Sequence, residues 1–127
     1  MFNDEPVKTV MVGCGMIAER SYQPQCRAYP HRIDLVGYYD RDISRAKALS
    51  KNDGGKVYQS LDGVLNDPDV EAIINLTIHA GHYPVSLAGL EAGKHVYSEK
   101  PVALHLEEAD ELVETADTMG LKFSCAP

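Results

Sequence analysis

The chain has 127 residues and a formal net charge of −7, from 12 basic and 19 acidic side chains interspersed along it. That length suits one domain able to bury roughly two-thirds of its unfolded surface, and the scattered basic residues form no stripe of the kind nucleic acid requires. No apolar stretch approaches the roughly 20 residues of a membrane span, and Cys14, Cys26 and Cys125 form no close pair, so the expected setting is a soluble, reducing cytoplasm.

Val7–Gly13 reads as a buried strand, apolar or β-branched at nearly every position. It runs into Gly13-Cys14-Gly15-Met16-Ile17-Ala18, a Gly-x-Gly-x-x-Ala turn. Gly13 allows a sharp turn off the strand. Gly15, lacking Cβ, lets a pyrophosphate approach the backbone and sit on the helix N-terminus, where unpaired N–H groups point outward. Ala18 is small enough for the helix to lie close on the strands. The helix is expected from near Gly15 to about Gln23. Pro24 cannot continue it without losing a hydrogen bond to Arg20, which predicts a kink or a short second helix to Ala28. Ile33–Tyr39 is the second strand, and Asp40 closes it. Strand, glycine turn, helix and an acid about twenty residues on are the parts of a dinucleotide-binding βαβ unit, in which that acid accepts hydrogen bonds from the adenosine ribose.

Asp42 or Asp40 can cap a helix over Ile43–Lys51, which Asn52-Asp53-Gly54-Gly55 stops. Val57–Tyr58 is a short strand, Ser60 caps a helix over Leu61–Leu65, and Asp67-Pro68-Asp69 is a turn. Val70–Thr77 reads as the fourth strand. A helix is expected over Pro84–Glu91, with Pro84 tolerated in its first turn and Gly93 as its stop. Lys94–Ser98 is the fifth strand. Leu106–Met119 repeats apolar residues at Leu106, Ala109, Leu112, Val113 and Ala116, a helix with one apolar face and acids on its solvated side. Gly120 ends it, and Leu121–Cys125 is the sixth strand. The alternation predicts an α/β fold: a Rossmann-type, doubly wound parallel sheet of about six strands with helices on both faces. With 127 residues ending just after that sixth strand, the expectation is a dinucleotide-binding domain at the N-terminal end of a longer enzyme, with the C-terminal substrate domain absent.

The second informative segment is Glu91-Ala92-Gly93-Lys94-His95-Val96-Tyr97-Ser98-Glu99-Lys100-Pro101. With the glycine turn, it resembles the oxidoreductase family of glucose–fructose oxidoreductase and inositol dehydrogenase (Gfo/Idh/MocA), in which Ala-Gly-Lys-His-Val ends a helix and the next strand delivers Glu-Lys-Pro. The resemblance runs from Val7 to Phe123. It implies that Gly13, Gly15, Met16 and Ile17 surround the pyrophosphate and that Asp40 and Arg41 meet the adenosine ribose. It implies further that Leu76 and Thr77 line the ribose and nicotinamide path, that His82 matches the family histidine preceding the Ala-Gly-Lys-His-Val segment, and that Glu99 and Lys100 stand by the nicotinamide. His82 reads either as a cofactor or substrate contact in a cleft or as a surface histidine at a helix start. The chain departs from the family in having Ile78-His79 where Pro-Asn is usual, and Leu104-His105 where a Ser or Thr helix cap is usual.

Lys100 is the expected catalytic residue. Oxidising a secondary alcohol sends hydride from carbon while the hydroxyl proton leaves oxygen, and a lysine at the carboxyl edge of the sheet can accept that proton. A cis Lys100–Pro101 bond is a further expectation. Asp40 would repel a 2′-phosphate, so NAD is favoured, with NADP as the alternative that Arg41 could accommodate. His79 and His82 lie three apart without an evident third ligand, so no metal site is expected. Cys14 reads as a small apolar filler. The expected function is an NAD(P)-dependent oxidoreductase moving hydride between a nicotinamide and a hydroxyl or keto group of a sugar, cyclitol or related small molecule. The alternative is a non-catalytic dinucleotide-binding or redox-sensing module. Oligomerisation, if any, is expected through the missing C-terminal domain.

Overall fold

In the computed structural model, which describes residues 5–127, β1 (Val7–Val12) pairs in parallel with β2 (Ile33–Tyr39) on one side and β4 (Ala72–Asn75) on the other. With β3 (Lys56–Val57), β5 (His95–Ser98) and β6 (Phe123–Cys125), the sheet order is β3-β2-β1-β4-β5-β6, parallel throughout. The period of two along the strands divides the core between the two faces. Val10, Val12, Ile73 and Val96 pack under α3 (Leu61–Leu65), α4 (His79–Glu91) and α5 (Leu106–Met119). Met11, Tyr38 and Ile74 pack under α1 (Gln23–Ala28) and α2 (Ile43–Asp53). The chain winds one way through β1, β2 and β3 and the other way from β4, so the direction reverses between β1 and β4. That reversal opens a crevice at the carboxyl ends of these two strands. Among the described residues no helix is long and apolar enough to cross a membrane.

The helix after the glycine turn does not break at Pro24. Its residues Ala18–Tyr22 form a wider π turn, in which the Gln23 N–H reaches back five residues to the Ala18 carbonyl, and α1 follows directly. Pro24 has no N–H to give, and it stands at the second position of α1, where a proline costs little. The expected second helix to Ala28 is therefore present, joined through one inserted residue rather than a kink.

The helix expected over Pro84–Glu91 starts five residues earlier, at His79, so Pro84 lies inside α4. Pro84 cannot serve the Ala80 carbonyl, but Ala80 is exposed and water can do so. Tertiary bonds hold the first turn in place of that helical one. Buried Asn75 donates to the His82 carbonyl and to Ser86 Oγ, each at 2.9 Å. β4 is correspondingly shorter than the apolar run Val70–Thr77. Other elements match closely: Asp42 caps α2 by accepting from the Ser44 N–H, Ser60 caps α3 from Gly63, and Gly120 ends α5 in the left-handed region. His105 makes no capping bond. On α5 only Leu112 and Ala116 of the apolar series are buried, while Leu106 and Val113 face outward.

Candidate functional site

The carboxyl ends of β1, β2 and β4 enclose a cavity of about 510 Å³ lined by Gly13, Gly15, Met16, Ile17, Asp40, Arg41, Arg45, Leu76 and Thr77, among others. The two glycines play different parts there. Gly13 has φ +97°, and a Cβ on it would lie 2.5 Å from the Leu76 carbonyl group, so its bareness lets the turn pass β4. A Cβ on Gly15 would meet nothing closer than Arg45 Nη1 at 3.9 Å; it faces open space at the start of the helix, where N–H groups have no intrahelical partner. That open cradle is the shape an anionic diphosphate needs.

Asp40 stands at the other end of the cavity. One carboxylate oxygen accepts the Cys14 N–H at 2.7 Å and the other accepts the Asp42 N–H at 2.8 Å. The acid thus braces the glycine turn against the β2–α2 loop, and each oxygen keeps a lone pair for an outside donor. Cys14 is buried beneath it, with Sγ 3.5 Å from the Tyr39 carbonyl. Burial, and secondarily the charge of Asp40, push its thiol up to about 12, leaving an unreactive filler. Arg45 was not expected from the sequence. It sits one turn into α2, its Nε 3.8 Å from the Asp42 carboxylate, and its guanidinium overhangs Gly15. The signal was its i,i+3 spacing from a helix-capping aspartate, which turns it back toward the helix N-terminus.

An adjoining cavity of about 570 Å³ shares Ile17, Leu76, Thr77 and Ile78 with the first, and adds His79, His82, Glu99 and Lys100. The Glu99 N–H donates to the Asn75 carbonyl at 3.0 Å, extending the pairing of β4 with β5 to the cavity floor. Its carboxylate accepts the Tyr22 hydroxyl. Lys100 is exposed at the rim, and the Lys100–Pro101 peptide is cis. His82 is only 1% exposed. Its Nδ1 lies 2.6 Å from the Pro101 carbonyl and its Nε2 2.8 Å from the Thr77 carbonyl, so the ring ties the loop after β4 to the segment carrying Lys100. Both ring nitrogens are therefore turned to backbone rather than to the cavity.

The two cavities thus gather every sequence-predicted site residue along one edge of the sheet: Gly13, Gly15, Met16, Ile17, Asp40, Arg41, Leu76 and Thr77 around one, and His82, Glu99 and Lys100 around the other. Sequence reasoning missed Asn75, which is fully buried. Its Oδ1 accepts from the Thr77 hydroxyl at 2.7 Å and its Nδ2 holds α4. It missed Lys94 too, a buried lysine that donates to the Asp67 carbonyl at 2.8 Å and makes the Ala-Gly-Lys-His-Val segment a structural lock. An unbroken apolar neighbourhood around a lone polar residue was the available signal for Asn75.

Residues 7–126 match the profile of the GFO_IDH_MocA family, described as an oxidoreductase family with an NAD-binding Rossmann fold. The 1,5-anhydro-D-fructose reductase of Ensifer adhaerens is 36% identical over 89 residues, 69% of this chain and 27% of that protein. Among solved structures, KijD10, a 3-ketoreductase from Actinomadura kijaniata in complex with NADP, superposes with a TM-score of 0.90 at 28% identity, covering 95% of this chain and 38% of that one. GenD2 from gentamicin A biosynthesis, in complex with NAD, does so with a TM-score of 0.89 at 27% identity, covering 96% and 34%. The chain spans about a third of the length of the curated relatives it matches.

Proposed function

The chain belongs to the Gfo/Idh/MocA oxidoreductase family, and on that premise we propose that it serves as the NAD(P)-holding domain of an enzyme moving hydride to or from a hydroxyl or keto group of a sugar, cyclitol or related small molecule. The observation that carries the reading is the continuity of the two cavities, with the open glycine cradle and Asp40 at one end and Glu99 and Lys100 at the other. The bound cofactor supplies the hydride chemistry. Gly15, Met16 and Ile17 offer the backbone N–H groups for its diphosphate, with Arg45 contributing positive charge across the turn. Asp40 accepts hydrogen bonds from the ribose hydroxyls, and its negative charge disfavours a 2′-phosphate there; Arg41 and Arg45 beside it are what would let NADP bind as well. Leu76 and Thr77 wall the path to the nicotinamide.

Lys100 is the proton-transfer residue in this reading. Its exposed side chain at the cavity rim can reach a substrate oxygen arriving from outside the domain. As the ammonium it gives that oxygen a proton when hydride arrives at the neighbouring carbon, and in the reverse direction the neutral amine takes the proton back. His82 acts through the backbone, holding the Thr77 and Pro101 carbonyls at a fixed separation and so positioning Lys100. Substrate-reading residues are proposed to lie in the region of the relatives that this chain does not span, as is any oligomer contact. A cytoplasmic setting is supported by three free thiols, Cys14, Cys26 and Cys125. Isothermal titration with NADH and NADPH tests the site. Saturable binding that prefers NADH, and that weakens by about tenfold or more in Asp40→Ala, is expected, because a charge-assisted hydrogen bond is lost. Failure of the unaltered chain to bind either nucleotide would overturn the assignment.

A further inference from the structure

We propose that Tyr22 is a positioning residue for Glu99, holding its carboxylate at the nicotinamide end of the paired cavities and off the neighbouring Lys100 ammonium. The contact is made by a local irregularity. The π turn Ala18–Tyr22 inserts one residue into the first helix, and such turns re-aim the side chains they carry. Tyr22 leaves that turn with its ring 6.2 Å from the Tyr97 ring on β5, tilted by 56°, and its hydroxyl donates to Glu99 Oε2. Packing on Tyr97 fixes the ring, so the hydroxyl's position is set by two elements at once. Burial, then the hydrogen bond to Glu99, push the phenol well above the usual tyrosine range, which keeps the proton on Tyr22 and makes it the donor.

The backbone of Glu99 is pinned independently. Its N–H donates to Asn75, and its carbonyl accepts from Ser98 Oγ at 2.9 Å and from Cys125 Sγ at 3.8 Å. What remains free is the carboxylate, and its nearest cationic neighbour in sequence is Lys100. The ion pairs Arg45–Asp42 and Lys56–Asp67 involve neither Glu99 nor Lys100. Titratable groups gather around the Tyr22–Glu99 pair from several elements: Tyr22 itself from the π turn, Tyr97 from β5, Cys125 from β6, and Lys100, His79 and His82 at the same cavity. A charge-assisted bond from Tyr22 decides between the two arrangements open to the carboxylate, toward the helix or toward the lysine. Held by Tyr22, it presents a fixed negative charge near the position proposed for the nicotinamide, whose ring is cationic only in the oxidised cofactor. This last consequence rests on the functional reading above; the positioning itself does not.

The test compares the unaltered chain with Tyr22→Phe, which keeps the ring on Tyr97, and with Tyr97→Leu, which removes the Tyr97 ring and hydroxyl but keeps the Tyr22 hydroxyl. Carboxyl ¹³C NMR at one neutral pH reads the surroundings of the Glu99 carboxylate, and calorimetry gives Kd for NAD⁺ and NADH. In Tyr22→Phe the Glu99 carboxyl resonance should move from its place in the unaltered chain, and the ratio of Kd for NAD⁺ to Kd for NADH should rise by about threefold or more. Tyr97→Leu, which loosens the Tyr22 ring without removing its hydroxyl, should move both in the same direction and by less. An unmoved resonance in Tyr22→Phe would overturn the proposal, as would a larger movement in Tyr97→Leu than in Tyr22→Phe. A moved resonance in a chain that binds neither nucleotide would uphold the positioning and remove the nicotinamide reading instead.

Discussion

Gly13 and Gly15 lie two residues apart and lack a side chain for opposite reasons. Gly13 has φ +97° and its missing Cβ would strike the backbone of Leu76; Gly15 borders only open cavity. Gly13→Ala should therefore cost more than about 2 kcal/mol of stability, from the left-handed backbone and the clash together. Gly15→Val should leave the urea unfolding midpoint nearly unchanged while abolishing NADH binding. Denaturation and calorimetry on the pair check both, and equal destabilisation by the two would show that Gly15 is a packing glycine. The motif already separates these roles in the sequence, the first glycine as the turn and the second as the bare approach to a ligand, but it does not report that the turn at Gly13 passes against Leu76. Asp40 shows the same limit. Its spacing from the glycine turn was legible, and its bond to the Asp42 N–H is local, but its bond to the Cys14 N–H crosses 26 residues and is not reported by spacing. His82 was legible as a residue of interest, and its burial between two carbonyls was not, since those carbonyls come from the loop after β4 and from Pro101.

Secondary elements were most legible where local chemistry decides them. Asp42 and Ser60 at their caps, and Gly120 at its left-handed stop, satisfy backbone groups within three or four residues, and α3 and α5 begin and end where their sequences indicate. His105 is the exception at a helix start, for it makes no capping bond and leaves the first N–H groups of α5 to water. Replacing His105 with Ser should stabilise the chain by about 0.5–1 kcal/mol, read as a rise in Tm of about 2–4 °C. No change would mean that α5 is held wholly by Leu112 and Ala116. The elements that defied local reading are the π turn before Pro24 and the first turn of α4 before Pro84. In the one the Gln23 N–H reaches the Ala18 carbonyl across a wider turn, and in the other Asn75 on β4 holds the His82 carbonyl while the Ala80 carbonyl that Pro84 cannot serve is left to water.

Carboxylates that fix the turns between elements give the whole molecule a pH response. Asp67 accepts from the Tyr58 hydroxyl at 2.7 Å and from the Asp69 N–H, while its carbonyl receives buried Lys94. The Tyr58 bond first, and the Asp69 bond second, hold the Asp67 carboxyl below the usual carboxylate range. Asp42 is likewise depressed, by the hydroxyl and then the N–H of Ser44. A depressed acid stabilises the fold above its unfolded value, near 4 for a carboxyl, and that contribution is lost as pH falls through the lower folded value. The free energy of urea unfolding should accordingly decline as the pH is lowered from about 4, and Tyr58→Phe should flatten the decline by removing the largest cause at Asp67. A slope identical in Tyr58→Phe would sink this account.

From the sequence alone come the six strands, their parallel alternation with helices, the glycine turn, the distant acid and the Glu99-Lys100-Pro101 segment. Each depends on apolar periodicity, on a cap or stop within one turn, or on a spacing along the chain, and such signals survive without knowledge of neighbours. Tertiary structure alone decided that Arg45 overhangs Gly15, that α4 starts at His79 with Asn75 bonded to its first turn, that His82 clamps backbone, and that Tyr22 meets Glu99 across 77 residues. These are pairings between groups brought together by chain reversal at the β1–β4 crevice. A hydrogen bond selects its partner by distance and angle in space, and no local pattern encodes which distant donor will arrive.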